Sequence, residues 1–227
     1  MITTGVSYRK LNVPGIDRLT GAGVYYGAAM TQALSYRDED VYLVGGANSA
    51  GQAAMYFSRY ARKVTMLVRG DSLAKTMSQY LVDQINETQN IQLWLHSNVI
   101  AIEGDDRLEV ITIHDTIKDE KQTVPTTGLF IFIGAQPRTD CLSGVVTTDA
   151  NGFILTGPGL MLVTTHERHN SRPKGWNLHR EPFLLETNIP GIFAAGDVRY
   201  GSLKRVASGV GKGSIAVQFV HQYLKRV

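Results

Sequence analysis

The stretch Val41-Tyr-Leu-Val-Gly-Gly-Ala-Asn-Ser-Ala-Gly-Gln-Ala-Ala54 decides the fold. An apolar run, a cluster of glycines and small residues, and a following segment of helical spacing read as a buried strand, a turn and the opening of a helix. Gly45 lets the chain leave the strand and enter the helix with no side chain in the way. The helix begins near Ser49, so its free N–H groups and positive dipole end face any phosphate lying over the turn. The spacing is a variant of the dinucleotide fingerprint G-x-G-x-x-G/A. Gly45 stands first, Ala47 takes the place of the second glycine, and Ala50 is third, small enough for the helix to pack on a sheet. The Ala47 methyl narrows the approach of a pyrophosphate, while Gly46 and Gly51 leave the backbone room to adjust.

Outward from the turn, Gln52 to Tyr60 places Ala53, Ala54 and Phe57 on one helical face, and Val64 to Val68 reads as a second buried strand. In such a β-α-β unit the residue ending the second strand lies near the adenine ribose, acidic for NAD and arginine for NADP. Here it is Arg69, followed by Gly70. An arginine at a strand end is also a common solvated residue; its position relative to Gly45 favours NADP over NAD. Ser72 then caps a helix expected from about Leu73 to Thr88, with Met77, Leu81 and Ile85 on its core face. Ile91 to Leu95 reads as a third parallel strand, and Val99 to Ile102 with Leu108 to His114 as an antiparallel meander turning at Gly104-Asp-Asp106.

Upstream, Val13-Pro-Gly15 and Leu19 to Gly23 make a linker, and Val24 to Leu34 a loop with a short helix. Downstream, the apolar run Gly128 to Gly134 reads as a fully buried strand starting a return to another domain. Gly152 to Thr156 is strand-like, Thr164 to Pro182 is a polar loop, and Gly191 to Asp197 is a second buried strand. Ser202 to Tyr223 is a glycine-rich turn leading into an apolar helix, with Ile215, Ala216, Phe219, Val220 and Tyr223 on one face.

Composition narrows the function classes. At 227 residues and 43% hydrophobic, the chain can build one large core or two modest ones. A net charge of +3 suits an anionic cofactor and, with no block of like charges, gives no case for nucleic acid. No apolar run reaches membrane-spanning length and Met1 to Lys10 has no apolar signal core, so a cytoplasmic location is the expectation. The single cysteine, Cys141, excludes an internal disulfide, a Cys-x-x-Cys pair and a thiolate zinc cage. His166-Glu-Arg-His169 spaces its histidines three apart rather than the four of a metalloprotease helix, so no metal site is expected. Gly209-Val-Gly-Lys-Gly-Ser214 falls short of a P-loop, because Gly213 replaces the hydroxyl residue after Lys212 and Val206 stands at the first glycine.

Five motifs, in order along the chain, resemble the later two thirds of the thioredoxin reductase-like FAD/NAD(P)-dependent pyridine nucleotide-disulfide oxidoreductases. Ile2-Thr-Thr-Gly5 is similar to the strand end closing the first part of an FAD domain, and Gly45-Gly-Ala-Asn-Ser-Ala50 to the NADPH turn. Gly128 to Gly134, with Pro137 and Thr139, resembles the crossover back to the FAD domain, and Gly191 to Asp197 the strand and acidic residue that hold the FAD ribityl chain. Lys204 to Gly211 is similar to the turn and helix start facing the flavin ring.

The resemblance implies an α/β fold: a Rossmann-like three-layer NAD(P)-binding domain with an antiparallel β-meander, inserted in a partial FAD-binding domain. Residues 1–12 would end the first FAD-domain segment, 13–126 form the NADPH-binding domain and 127–227 the second FAD-domain segment. The implied cofactor-binding residues are Gly45, Gly46, Ala47, Asn48, Ser49, Ala50, Arg69, Gly134, Gly196, Asp197, Arg205, Val206 and Ala207. NADPH is the expected cofactor, with FAD at a site incomplete in this chain, which reads as beginning mid-domain and lacking the N-terminal glycine turn. The family's Cys-x-x-Cys falls on Tyr26 to Met30, where Gly27 and Met30 take the cysteine positions, so dithiol exchange with thioredoxin is not expected and the cysteine-less branch fits better. Two readings follow: an oxidoreductase moving hydride from NADPH to FAD and on to an acceptor, or a non-catalytic NADP-binding module or half of a split flavoprotein. Expected partners are the nicotinamide cofactor and a complementary FAD-domain segment or redox acceptor protein, with a homodimer allowed and neither nucleic acid nor membrane.

Overall fold

The computed structural model describes residues 1–27, 32–162 and 176–225. Its elements run β1 (Val6–Tyr8), α1 (Ile16–Leu19), β2 (Val24–Tyr26), β3 (Asp40–Val44), α2 (Asn48–Phe57), β4 (Lys63–Leu67), α3 (Gln79–Glu87), β5 (Ile91–Trp94), β6 (Ser97–Glu103), β7 (Val110–Asp115), β8 (Glu120–Pro125), β9 (Gly128–Ile131), β10 (Ala135–Pro137) and α4 (Val206–Leu224). They divide into one unit of residues 9–134 and another of residues 1–8 with 135–227.

The 9–134 unit is built on a parallel five-stranded sheet in the order β2-β9-β3-β4-β5. Alternation along the strands assigns its two faces. Val41 and Leu43 of β3, with Val64 and Met66 of β4, turn to one side and pack against Ala50, Ala53, Ala54 and Phe57 of α2 and Leu81 and Ile85 of α3. Tyr42, Val44 and Leu67 turn to the other, against Val99, Ile102, Ile111, Ile113 and Val124 of the antiparallel sheet β6-β7-β8. Helices, parallel sheet and meander are the three layers expected of the nucleotide domain.

Strand order also locates the site. From β3 the chain steps to β4 and β5 on one side, while β9 pairs with β3 on the other. The order therefore reverses between β3 and β9, and the crevice beyond their carboxyl ends is where open α/β sheets bind ligands.

Several boundaries differ from the expectations. The unit boundaries fall after Tyr8 and after Gly134, not after residues 12 and 126. The cause is β9: its fully buried run pairs with both β2 and β3, so Gly128–Ile131 completes the nucleotide sheet before the chain leaves it. Val24–Tyr26 is a sheet strand rather than a loop, and the expected linker carries Val13, Ile16 and Leu19 into the core. The helix expected from Leu73 begins only at Gln79.

In the other unit β1 pairs antiparallel with β10, Val6 opposite Pro137. Ile2 bridges Ala194 in parallel: its N–H donates to the Phe193 carbonyl at 2.7 Å, and the Ala195 N–H donates back to the Ile2 carbonyl at 3.0 Å. The segments Gly152 to Thr156 and Gly191 to Asp197, expected as strands, contribute only isolated bridges, two at Ile154 and one each at Phe193 and Ala194. The helix after Ser202 starts at Val206 and covers Leu185, Phe193 and Ala195 through Ala216, Phe219, Val220 and Tyr223.

Candidate functional site

The turn after β3 requires glycine at its first position. Gly45 has φ +145°, and a Cβ there would lie 2.5 Å from the Phe132 carbonyl oxygen, just past β9. Its N–H donates to the Leu67 carbonyl at 3.0 Å, which ties the turn to the end of β4. Ala50, fully buried beneath, has its methyl 3.1 Å from that same Cβ position, so the third small residue of the fingerprint allows the helix to approach.

The opening of α2 carries no side-chain cap. Ala47 is the N-cap residue, extended at φ −104° and ψ 176°, and its methyl cannot accept a hydrogen bond. Its carbonyl accepts from the N–H groups of Ala50 and Gly51, whereas those of Asn48 and Ser49 meet no acceptor among the described residues. Ala47, Asn48 and Ser49 are exposed. Two free N–H groups at the positive end of a helix, over a glycine turn at a switch point, form a concavity suited to an anion.

Arg69 is exposed one residue beyond β4 and Val68. Its neighbours are fixed: the Ser97 N–H donates to the Val68 carbonyl at 3.0 Å and the His96 N–H to the Gly70 carbonyl at 3.1 Å. Beyond it, residues 72–78 fold back onto the turn. Leu73 is the acceptor of a single helical turn from Thr76 and Met77. Leu73 and Met77 are buried against Gly46 and Gly51; a Cβ on Gly46 would meet a Val68 methyl at 2.8 Å, and one on Gly51 the Met77 sulfur at 2.8 Å. These two glycines thus serve loop docking. The Thr76 hydroxyl donates to the Gly46 carbonyl at 2.7 Å, and the Ser78 N–H and hydroxyl donate to Asn48 Oδ1 at 2.8 and 3.1 Å. Gly134, at φ +94°, follows β9 at the same end of the sheet, where the Phe132 N–H donates to the Val44 carbonyl at 2.7 Å.

The remaining expected residues lie in the other unit. Gly196, at φ +78°, and half-buried Asp197 follow the Phe193–Ala195 segment. Arg205 is the N-cap of α4 with no side-chain cap, and Arg205, Val206 and Ala207 are exposed, Val206 by 86%. Beside them, Arg199 donates to the Thr156 hydroxyl at 3.2 Å, while its Nε and the Ser202 hydroxyl are buried without partners among the described residues. Burial pushes the Arg199 guanidinium below its ordinary value. Burial also lowers Lys212, helped by the nearby Arg199 charge and opposed by Asp197. Met30 of the cysteine-less segment and His166 to His169 lie outside the described residues. No group of potential metal ligands occurs among the described residues, and none of their helices is long and apolar enough to cross a membrane.

Residues 1–166 match the family model of the pyridine nucleotide-disulphide oxidoreductases. The chain belongs to that family. Among its relatives, a thioredoxin reductase of Listeria innocua is 30% identical across all of this chain, which spans 63% of that relative's length. The crystal structure of thioredoxin reductase from Streptococcus pyogenes superposes with a TM-score of 0.70 at 31% identity, covering 99% of this chain and 65% of that one. Thioredoxin reductase of Lactococcus lactis gives a TM-score of 0.72 at 26% identity, covering 99% and 65%. This member of the family has one cysteine, Cys141, which is exposed and free.

Two features of this oxidoreductase-family chain were not read from its sequence. Thr76 and Ser78 looked like interior positions of a helix, and only their tertiary acceptors on Gly46 and Asn48 set them apart. The hydroxyl residues just ahead of a helical run were a usable signal, since such residues compete with the backbone ladder and favour helix starts. The second feature is fully buried Glu186, held by Arg180 at 2.6 and 2.8 Å and by the N–H groups of Phe183 and Gly191. No local pattern marks it.

Proposed function

We propose that this chain is a thioredoxin reductase-like flavoprotein oxidoreductase, or its nucleotide-binding portion, that takes NADPH at the β3–α2 turn and lacks a dithiol relay. The observation carrying this reading is the uncapped opening of α2, with the free N–H groups of Asn48 and Ser49, at the sheet's switch point and with Arg69 beyond the neighbouring strand. The turn would hold the pyrophosphate, with Gly45 keeping the backbone close, and Arg69 would pair the 2′-phosphate. Gly134, three residues past β9, would present backbone rather than a side chain to the nicotinamide side of the crevice.

In the other unit, Asp197 would accept hydrogen bonds from ribityl hydroxyls, and the exposed opening of α4 at Arg205, Val206 and Ala207 would direct N–H groups toward the flavin's O2 side. These residues offer contacts to the flavin end of FAD only; the residues present include no second glycine turn of the Gly45 type for its ADP end. When bound, FAD supplies the hydride-accepting chemistry, and the protein supplies orientation. With one cysteine in the chain, the acceptor is reached by a route other than thiol exchange within it. A complementary FAD-domain segment or a redox acceptor protein is the partner this reading calls for.

The second reading, an NADP-binding module without turnover, is favoured by the 9–134 unit, which carries both the turn and Arg69 on its own core. Calorimetry tests what both readings share. Arg69→Ala should weaken NADPH by about 10-fold or more, the scale of a charge-assisted contact, and leave NADH almost unchanged. Equal loss for the two would remove the assignment. A visible spectrum of the purified protein, with and without added FAD, then separates flavoprotein from module.

A further inference from the structure

Thr76 and Ser78 hold the loop that follows Arg69 against the turn. Three hydrogen bonds join them: Thr76 Oγ1 to the Gly46 carbonyl at 2.7 Å, and the Ser78 N–H and Oγ to Asn48 Oδ1 at 2.8 and 3.1 Å. Packing supports the same clasp, because Leu73 and Met77 are buried where Gly46 and Gly51 leave room. The Ala74 N–H donates to the Ser72 hydroxyl at 3.1 Å, and Met77 closes onto Leu73 at 2.9 Å, so the loop is itself a single hydrogen-bonded turn. The side chain of Asn48 turns its oxygen, the acceptor, toward this loop.

These contacts cost regular structure. They hold residues 73–78 outside α3, whose helix begins only after Ser78, although the apolar spacing of Met77, Leu81 and Ile85 allows a helix through them. A chain that gives up a helical turn to bind its neighbour fixes the distance between two points. Here those points are the turn, through the Gly46 carbonyl and Asn48, and the strand end bearing Arg69, through the continuous segment from residue 69 to 78.

We propose that Thr76 and Ser78 are positioning residues for dinucleotide specificity: by clasping the loop to Gly46 and Asn48 they complete, together with the Gly45–Leu67 backbone bond, the fixed spacing between the turn and Arg69, so that one ligand carrying both a 5′-phosphate and a 2′-phosphate engages both ends at once. This rests on the NADPH reading above. Two sites held at a fixed span bind a bridging ligand more tightly than either end alone, and loosening the span removes that gain while each end keeps its own affinity.

The experiment measures three probes, 2′,5′-ADP, 5′-AMP and 2′-AMP, by calorimetry or ligand-observed NMR on the full chain. The variants are Thr76→Val, Ser78→Ala and both together, with Thr76→Ser as the conservative control. In the double variant, 2′,5′-ADP should weaken by about 10-fold, the loss of roughly one net hydrogen bond's worth of positioning, while both monophosphates stay within about 2-fold. Thr76→Ser should restore binding. Equal weakening of all three probes, or none for 2′,5′-ADP, would overturn the proposal, and a lowered melting temperature with unchanged probe ratios would make the clasp structural only. If Arg69→Ala spares 2′,5′-ADP, the NADPH reading itself fails; if Arg69→Ala weakens it and the clasp variants do not, only the positioning role falls.

Discussion

Gly45 and Phe132 are in contact through backbone alone: a Cβ on the glycine would sit 2.5 Å from the phenylalanine's carbonyl oxygen. Phe132 is itself fixed, since its N–H donates to the Val44 carbonyl at 2.7 Å. Neither strand can yield without breaking the β3–β9 pairing, and φ at Gly45 is +145°, which side-chain residues rarely adopt. Gly45→Ala should therefore lower the unfolding free energy by about 2–4 kcal/mol, the sum of backbone strain and overpacking. Urea denaturation checks this, and a change below about 1 kcal/mol would mean that the turn relaxes more readily than its packing indicates.

A second prediction concerns charge beside Arg69. Asp71 stands two residues on, and Lys75 Nζ lies 2.8 Å from its Oδ2. That hydrogen bond and charge hold the Asp71 carboxyl below its ordinary range. An acidic group near the ribose is what NAD-preferring sites use, so a carboxylate engaged by Lys75 is withdrawn from that role. Lys75→Ala should lower the NADPH-to-NADH preference severalfold, with Asp71→Asn in the same background restoring it. The effect needs ionised Asp71 and fades as pH falls through the carboxyl's pKa in the variant, where the main cause of its depression, Lys75, is gone. An unchanged preference in Lys75→Ala would show that Asp71 is too far from the ribose to matter.

What was legible in the sequence is what local chemistry determines. The β3–turn–α2 unit could be read because an apolar run, Gly45 and Ala50 together admit few backbones, and the structure starts α2 at Asn48, one residue from the expected position. The meander followed from alternation at Val110 to His114, whose partners are those of β6 and β8. The destination of Gly128–Ile131 was not local information: a run buried on both faces fits any central strand, and only pairing with Val24–Tyr26 and Val41–Val44 assigns it. The break before Gln79 was likewise hidden, because it depends on acceptors 30 residues away at Gly46 and Asn48.

The Arg180–Glu186 pair gives a third prediction. Glu186 is fully buried, and the Arg180 guanidinium that meets it lies 4.4 Å from the Phe183 ring centre and 5.7 Å from that of Tyr223 on α4. Both carboxylate oxygens are used, one by Arg180 and Phe183 and the other by Arg180 and Gly191. Removing one partner strands the other's charge in a dry site, at a cost of about 3–5 kcal/mol. Arg180→Met should thus destabilise this unit and loosen α4, read as faster amide exchange at Phe219 to Tyr223. Protection left intact there would show that the apolar contacts of α4 hold without the ion pair.

Lys212 supplies the last prediction, through its unfavourable company. It is partly buried on α4 near Arg199, itself half-buried, and both cations titrate below their ordinary values because burial disfavours their charge. Asp197 offsets part of this at Lys212. For a lysine whose folded pKa is depressed, the penalty is full at all pH values below the folded pKa. It shrinks as pH rises toward the unfolded value of about 10.4, and it is absent above that. Lys212→Met should accordingly stabilise the protein at pH 7, by less than about 1 kcal/mol given solvent screening, and the gain should vanish by about pH 11. Lys212→Glu should gain less than Lys212→Met at pH 7, because burial penalises the carboxylate as it does the ammonium and Asp197 repels it, which offsets its attraction to Arg199. Urea denaturation of the three proteins at the two pH values measures both steps. A gain that grows with pH, or a glutamate variant more stable than the methionine one, would show that burial of charge does not govern this site.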